Sequence, residues 1–338
     1  GLYRRKIPYL FAGIVWPEEA ALAHATHIFA QACATVDAFF GARIGMVGLR
    51  PERFETCSFN EAALIERFRQ RVVRIPESEV YAAANAWPSS DHHLLATLEE
   101  ITREADCTAC SDAALARMAR LELVLQRYFQ ERDLSAMAVS CWNEIQERYG
   151  VCACSTLGRL TGKGMMVACE VDVLGALTML TQYRAALETT VPHFVDWTIQ
   201  HQEVDDVFLA WHCGNASAAL ADGAAPVRVR EQAIMSQVVG PDKAQGAAEF
   251  QLHPGPVTLS RLAEYDGAFK MLITSGEIIP SEDQLRGSWA WVRVSDLSRL
   301  YRVLAEQGFT HHASMIHGDV ADALEAFCRF TGIEVVRV

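Results

Sequence analysis

GARIGMVGLRPERFETCSFNEAALIERFRQRVVRI, residues Gly41–Ile75, decides the fold. Arg43–Leu49 reads as a strand, Asn60–Phe68 as a helix after the loop GLRPERFETCSF, and Val72–Ile75 as the next strand. The same alternation extends upstream. Ile7–Trp16 reads as a buried strand, and Glu18–Phe40 carries apolar residues at helical spacing (Leu22, Ile28, Phe29, Cys33, Val36) closed by Gly41. Strands and helices in this order argue for a parallel sheet with helices on its faces.

Downstream, Ser90–Tyr149 is nearly all helix, with Asp91 and Asp112 as expected N-caps and Gly150 as a stop. The tryptophan and cysteine of AVSCWNEI mark a short buried segment there. After Pro192 the texture changes. VDDVFLAWHCGN, PVRVREQAI, GAAEFQLHPGPVTLSRL, FKMLITSGEII and GSWAWVRV alternate like strands between Gly and Pro turns, as in an antiparallel sheet or barrel. The closing ADALEAFCRFTGIEVVRV is an amphipathic helix followed by a strand. The expected fold class is α/β, with a parallel-sheet domain over 1–190 and a β-rich domain over 191–338. The cut falls between Thr189 and Val195, and a ligand is expected in the cleft such a boundary makes.

The bulk numbers narrow the function. In 338 residues the 51% hydrophobic content suits a large core, while 30 basic against 42 acidic residues give a formal charge of −12. That balance, with no basic stripe, argues against nucleic acid and against anionic membranes as partners. No apolar stretch reaches the roughly eighteen residues of a membrane span. The N-terminal GLYRRKIPYLFAGIVW has the order of a signal peptide, but its apolar part is short and Glu18 and Glu19 follow. Ten cysteines among apolar neighbours, such as Cys33, Cys141, Cys169 and Cys328, read as reduced, buried small hydrophobes of a cytoplasmic protein. Cys107 and Cys110 form a CxxC with no second pair to complete a zinc site. The missing initiator Met suggests a processed product or a fragment.

Chemistry concentrates around GKGMMVACEVDVLGALTM, Gly162–Met179, where Glu170 and Asp172 interrupt a buried run. Buried carboxylates need a metal, a hydrogen-bond network or a fold boundary to offset their desolvation. Asp172 stands where an N-cap of the following helix belongs. Asp196 in PHFVDWT, His212 in FLAWHCGN, and His311 with His312 in GFTHHASMIHGD complete a set of carboxylates and imidazoles suited to Mn, Co or Fe. Each residue alone also fits a cap, a core hydrogen-bonder or an exposed group, and His212 on its strand fits a satisfied core histidine. His201, His193, His92 and His93 read as surface or loop residues. Trp197, Trp211, Trp289 and Trp291 are candidates for stacking on a ligand, although strand tryptophans also serve as core. A second cluster, Arg50, Arg53, Glu55 and Thr56, follows a strand at the sheet edge where ligands bind in α/β folds. The GKG at Gly162–Gly164 lacks the remainder of a phosphate loop, and no GxGxxG opens the first helix.

CEVDVLGALTM resembles the signature of the L-fucose isomerase family, with L-arabinose isomerase a more distant relative. GMVGLRPERFETCSFNEAAL, CWNEIQERYG, VDWT, HCGN and HHASMIHGDVADALEAF fall in that family's order. The resemblance implies Glu170, Asp196 and His312 as ligands of a divalent metal, usually Mn2+ with Co2+ or Fe2+ as substitutes, and His212 as a further ligand. It implies an aldose–ketose isomerase working through an enediol, with Glu170 and Asp196 as the catalytic carboxylates. The substrate would be a free monosaccharide such as L-fucose or D-arabinose, and the protein a homo-oligomer, trimer or hexamer. It also implies that the family's first α/β domain is absent, leaving a Rossmann-like domain and the β-rich C-terminal domain. A metal-dependent hydrolase and a sugar-binding protein without turnover are the competing classes.

Overall fold

The computed structural model describes all 338 residues. In chain order the first half contains α1 (Ala20–Phe39), β1 (Arg43–Val47), α2 (Glu61–Phe68), β2 (Arg71–Ile75), α3 (Glu77–Asn85), α4 (His92–Glu104) and α5 (Asp112–Glu131). It continues with β3 (Ala136–Val139), α6 (Cys154–Gly162), β4 (Val167–Ala168) and α7 (Val173–Ala185). The second half contains β5 (His193–Gln200), β6 (Val207–His212), β7 (Arg228–Glu231), α8 (Met235–Val239), β8 (Gln245–Gln251), β9 (Gly255–Tyr265) and β10 (Ala268–Ile279). It ends with β11 (Ser288–Val294), α9 (Leu297–Glu306), β12 (His312–His317), α10 (Ala321–Thr331) and β13 (Glu334–Arg337).

The first four strands form a parallel sheet in the order β2-β1-β3-β4. Its central strands IGMV and AMAV are buried along their length, as parallel strands covered on both faces must be. Six later strands close into a barrel in the order β10-β9-β12-β5-β6-β11, β11 pairing back onto β10. All six contacts are antiparallel. β13 and β8 extend the barrel outward in parallel pairings, and β7 pairs antiparallel with β8. The α/β sheet followed by a β-rich barrel and a C-terminal helix is the expected fold class.

Local chemistry explains the element ends. Asn60 caps α2 and Asp91 caps α4 by accepting from backbone N–H groups. At α5 the cap is Ser111 rather than Asp112, which occupies the helix's first position. α9 buries Leu297, Leu300 and Leu304, one stripe at helical spacing. Ile7–Trp16 corrects its expectation: it forms no strand, and Phe11, Ile14 and Trp16 lie 78%, 101% and 74% exposed. An apolar run becomes a strand only beside a ladder partner, and central β1 already has β2 and β3 on its two sides.

α7 joins the two layers. It packs on β3 and β4 of the sheet and on β9 and β12 of the barrel. Gln182 donates through its amide to the carbonyls of Thr258 and Ser314, both at 3.0 Å, and accepts from Ser314 Oγ at 2.6 Å. Gly175 permits the close approach, since a Cβ there would stand 2.5 Å from the Phe194 ring on β5. One hydrophobic core of 85 buried residues runs through both layers without a break near residue 190.

Candidate active site

Glu170 leaves the parallel sheet two residues after β4, in a turn that places two consecutive residues in the left-handed region. Glu170 has φ +59° and Val171 +58°. Such conformations cost roughly 1–3 kcal/mol each for non-glycine residues, more for a β-branched valine, so the surroundings must impose them. The turn is held by Val171 N–H donating to Val139 O and Asp172 N–H to Cys169 O. It turns the Glu170 carboxylate inward. Trp142, in the loop after neighbouring β3, donates its indole N–H to Glu170 Oε1 at 2.9 Å. Glu170 Oε2 is left buried without a hydrogen-bond partner.

The barrel supplies the rest. β12 and β5 pair so that His312 lies directly opposite Asp196, and His212 ends β6 on the other side of β5. His312 Nε2 lies 3.2 Å from Glu170 Oε2 and 3.7 Å from Asp196 Oδ1. The ligand atoms of Glu170, His212 and His312 fall within 4.8 Å of one another. Asp196 Oδ1, His212 Nε2 and His312 Nε2 are, like Glu170 Oε2, buried and without partners. Three orphaned polar atoms gathered together, with a fourth on Asp196 beside His312, are what a cation site requires, because each would otherwise bear an uncompensated desolvation penalty.

His312 is oriented from behind. Asp172 caps α7 by accepting from Gly175 N–H at 2.7 Å, and its carboxylate also meets both Arg261 guanidinium nitrogens and His312 Nδ1, the last at 2.8 Å. A carboxylate only accepts, so Nδ1 carries the proton and Nε2 turns its lone pair toward Glu170 and Asp196. This fixing of a ligand's tautomer by an outer carboxylate is common in metal sites. The expected capping role of Asp172 is thus joined by a hydrogen bond to His312 and a buried ion pair with Arg261, both partners 1% exposed.

Burial pushes the Glu170 carboxyl up, but His312 and His212 more than offset it and hold it at about 2. Burial dominates at Asp196 and raises it to about 6, against the opposing pull of His212 and His312. Burial disfavours charge on both histidines. Nevertheless, Cys213 and Asp196 lift His212 to about 9, and the bonds to Asp172, Cys57 and Glu170 hold His312 well above its ordinary value.

Glu170, Asp196, His212 and His312 are therefore brought together. His311 is 45% exposed, 4.0 Å from Asp196 Oδ1, and stands at the rim. Trp197, Trp289 and Trp291 are core residues, 7% exposed or less. Lys163 of the GKG sequence ion-pairs with Glu100 and the fully buried Glu122. Two expectations are corrected. His193 is no surface residue: it is 1% exposed, with Nε2 bonded to Asn215 Oδ1 and Ser288 Oγ at 3.2 and 3.0 Å. Cys33 is exposed, because α1 buries only Gln31, Ala32, Thr35 and Phe39. All ten cysteines are free thiols, eight of them buried. Reading the sequence missed Trp142 and Arg261. CWN sits one loop away from Glu170 only because β3 and β4 are neighbours, and nothing local to Arg261 marks it as the counter-ion of Asp172.

Residues 210–338, covering β6 through β13, match the family model described as L-fucose isomerase, C-terminal domain. The family's resemblance, drawn from motifs over nearly the whole chain, also agrees with full-length relatives. The chain is 26% identical over 324 residues to the sulfoquinovose isomerase of Alkalicoccus urumqiensis, covering 95% of this chain and 70% of that protein. It is 26% identical over 345 residues to the sulfoquinovose isomerase of Clostridium sp. (strain MSTE9), covering 97% and 71%. It is 24% identical over 294 residues to that of Priestia aryabhattai, covering 86% and 63%. No helix of this chain is long and apolar enough to cross a membrane.

Proposed function

We propose that this chain is a metal-dependent aldose–ketose isomerase of a free sugar, with Glu170, Asp196, His212 and His312 holding the cation. The observation that carries the reading is that the unpartnered ligand atoms of Glu170, His212 and His312 lie within 4.8 Å of one another, with Asp196 Oδ1, also unpartnered, 3.7 Å from His312 Nε2. Two carboxylate oxygens and two imidazole nitrogens suit Mn2+, with Co2+ or Fe2+ as alternatives. Sulfoquinovose, the sugar in the relatives' names, is the first candidate substrate, ahead of L-fucose and D-arabinose. A division into 1–190 and 191–338, a homo-oligomeric state and a cytoplasmic location go with the same reading.

Isomerisation moves a proton between C2 and C1 while carbonyl and hydroxyl exchange places. A bound divalent cation supplies Lewis acidity toward the sugar's oxygens. Of the two carboxylates, Glu170 is fixed by the Trp142 N–H, and its low value keeps it ionised. Asp196 keeps a fifth of its side chain open, so it is the carboxylate placed to meet the substrate. Asp196 therefore carries the proton between the two carbons, and Glu170 exchanges protons with the sugar's oxygens.

The test is incubation of the Mn2+-supplemented chain with aldoses in deuterated water. The expected outcome is ketose carrying solvent deuterium at the reacting carbon, lost on Glu170→Gln, which keeps the shape of the side chain. Wild-type turnover by Glu170→Gln would refute the assignment, and oxygen from a parallel incubation in oxygen-labelled water appearing in a cleaved product would show a hydrolase instead.

A further inference from the structure

The segment that was expected to be a buried first strand, together with the residues just before it, exposes an unusual combination of groups. Arg4, Arg5 and Lys6 stand between Tyr3, 82% exposed, and Tyr9 and Phe11, 43% and 78% exposed. The single 3-10 turn here, Tyr3–Arg5, buries no residue. None of the three cations joins an ion pair within the chain. In a chain of formal charge −12, unpaired cations among exposed aromatic rings mark an interaction surface.

A groove of the opposite character opens between the loop before α2 and the β9–β10 turn. About 880 Å³ in volume, it is lined by the apolar Phe59, Leu174 and Phe309 and by the acids Glu55, Glu264 and Asp266. Its two other charged groups are engaged already, Glu61 with Arg74 and Arg261 with Asp172. Glu264 accepts from the backbone N–H groups of Asn60 and Gly267, and no cation pairs with Glu55, Glu264 or Asp266. Lys270, lying over the Tyr265 and Phe309 rings, gives its ammonium to the Gln307 carbonyl. Three unpaired carboxylates beside apolar walls are the complement of what residues 3–11 expose.

Segment and groove lie on one side of the molecule. Arg67 donates to the carbonyl of Gly267, next to Asp266, at 3.4 Å and to that of Gly332, just beyond α10, at 2.9 Å. The end of α10 carries Arg329 and Phe330, which line a hollow together with Lys6, Tyr9 and Phe11. Both features thus flank the same helix end. A two-fold axis beside it sets each copy's segment against the other copy's groove at once.

We propose that residues 3–11 of one copy of this chain dock in the acidic groove of a second copy, and reciprocally, with Arg4, Arg5 and Lys6 facing Glu55, Glu264 and Asp266. The pairing is independent of the isomerase reading. As a two-fold contact it belongs to a hexamer that combines two-fold with three-fold symmetry, and not to a cyclic trimer.

Association is read by sedimentation equilibrium for the wild type, for Arg4→Glu with Arg5→Glu and Lys6→Glu, for Glu55→Lys with Asp266→Lys, and for all of these together, leaving Glu264 to hold its turn. The expected result is a self-associating wild type whose dissociation constant rises at least tenfold in each reversed set and with added salt, which screens exposed charges. The combination, in which opposite charges face each other again, should return to within threefold of wild type. A monomeric wild type, association indifferent to both sets, or a combination no tighter than either set overturns the inference. Because a reversed set could fail to fold, the wild type also supplies a measurement of its own. Carbodiimide coupling of Lys6 to Glu55 or Asp266, in an equal mixture of isotopically light and heavy chains, should give light–heavy links. Links confined to chains of one isotope, or no links, place the segment in its own copy's groove or elsewhere and overturn the inference as well.

Discussion

On the proposed metal reading, Asp172 touches no metal-directed atom but sets metal affinity through His312. Its Oδ1 accepts from Gly175 N–H and Arg261, and its Oδ2 accepts from Arg261 and from His312 Nδ1. Burial pushes its carboxyl up, but Arg261 and His312 outweigh burial and hold it well below the usual carboxylate range. In Asp172→Asn one oxygen can still cap α7, so the amide nitrogen takes the place of Oδ2 and faces two donors. His312 then gains by turning Nδ1 into an acceptor and moving its proton to Nε2, the atom aimed at Glu170 and Asp196. The loss expected for such an outer partner is about 10- to 100-fold in affinity. That is about 1.4–2.8 kcal/mol of binding free energy. Competition with a chromogenic chelator for Mn2+ measures it. Arg261→Met is the control, since it keeps the Asp172–His312 bond and adds negative potential, so metal affinity is retained or rises although the broken buried pair costs roughly 3–5 kcal/mol of stability. Should Asp172→Asn fail to fold, the double variant with Arg261→Met removes the unpaired guanidinium and leaves the tautomer question open to the same titration. A folded Asp172→Asn protein that binds Mn2+ within twofold of wild type would refute the reasoning.

Three further outcomes are expected. Glu122, fully buried, joins Arg159 at 2.7 Å and Lys163 at 2.8 Å, but Arg159 keeps Glu100 and Glu104 and Lys163 keeps Glu100, so Glu122→Ala should cost about 1.5–3 kcal/mol, read as a lowered denaturation midpoint in chelator. Trp142→Phe keeps the ring but removes the donor to Glu170 Oε1, a hydrogen bond to a charged group worth roughly 1.5–3 kcal/mol; kcat should fall about tenfold or more, and an unchanged kcat would show that the bond does not position the carboxylate. Burial holds His193 neutral down to about 3, whereas the unfolded chain protonates near 6.5. Stability from this group is therefore complete above pH 6.5 and declines as pH falls, by about 2 kcal/mol at pH 5. Denaturant titrations at pH 7.5 and 5 should show that part of the slope vanish in His193→Gln.

The architecture was legible where local pattern and environment agree. β1, β2 and α2 are found within two residues of their sequence readings, and α7 begins directly after the expected cap Asp172, because apolar spacings and caps are local signals. Ile7–Trp16 failed because apolarity specifies burial only if a partner exists, and that partner is a property of the sheet order. His193 and His212 show the same limit in the site. Each belongs to a barrel strand and is 1% exposed, yet one is bonded by Asn215 and Ser288 while the other leaves Nε2 free toward the carboxylates. Nothing within either strand's own sequence distinguishes them, because the distinction is made across the sheet by β11 and by the HCGN turn.

The position of the site follows from how its parts are built. The parallel sheet can deliver a carboxylate only from a turn beyond a strand end, and here that requires two strained residues, Glu170 and Val171. The barrel delivers Asp196 and His312 from regular, directly opposed ladder positions without comparable strain. A site made by two bodies holds its geometry only if they are locked together, and α7 does this by binding both through its length. Its N-terminus carries Asp172, bonded to the barrel's Arg261 and His312; its middle carries Gln182, bonded to β9 and β12. The buried ion pair is thus better understood as fixing registry between sheet and barrel than as added stability, because the desolvation of two such charges consumes much of their attraction. On that view the strain at Glu170 persists because the α7 anchor leaves the turn no room to relax, and the orphaned atoms of the two layers remain gathered together.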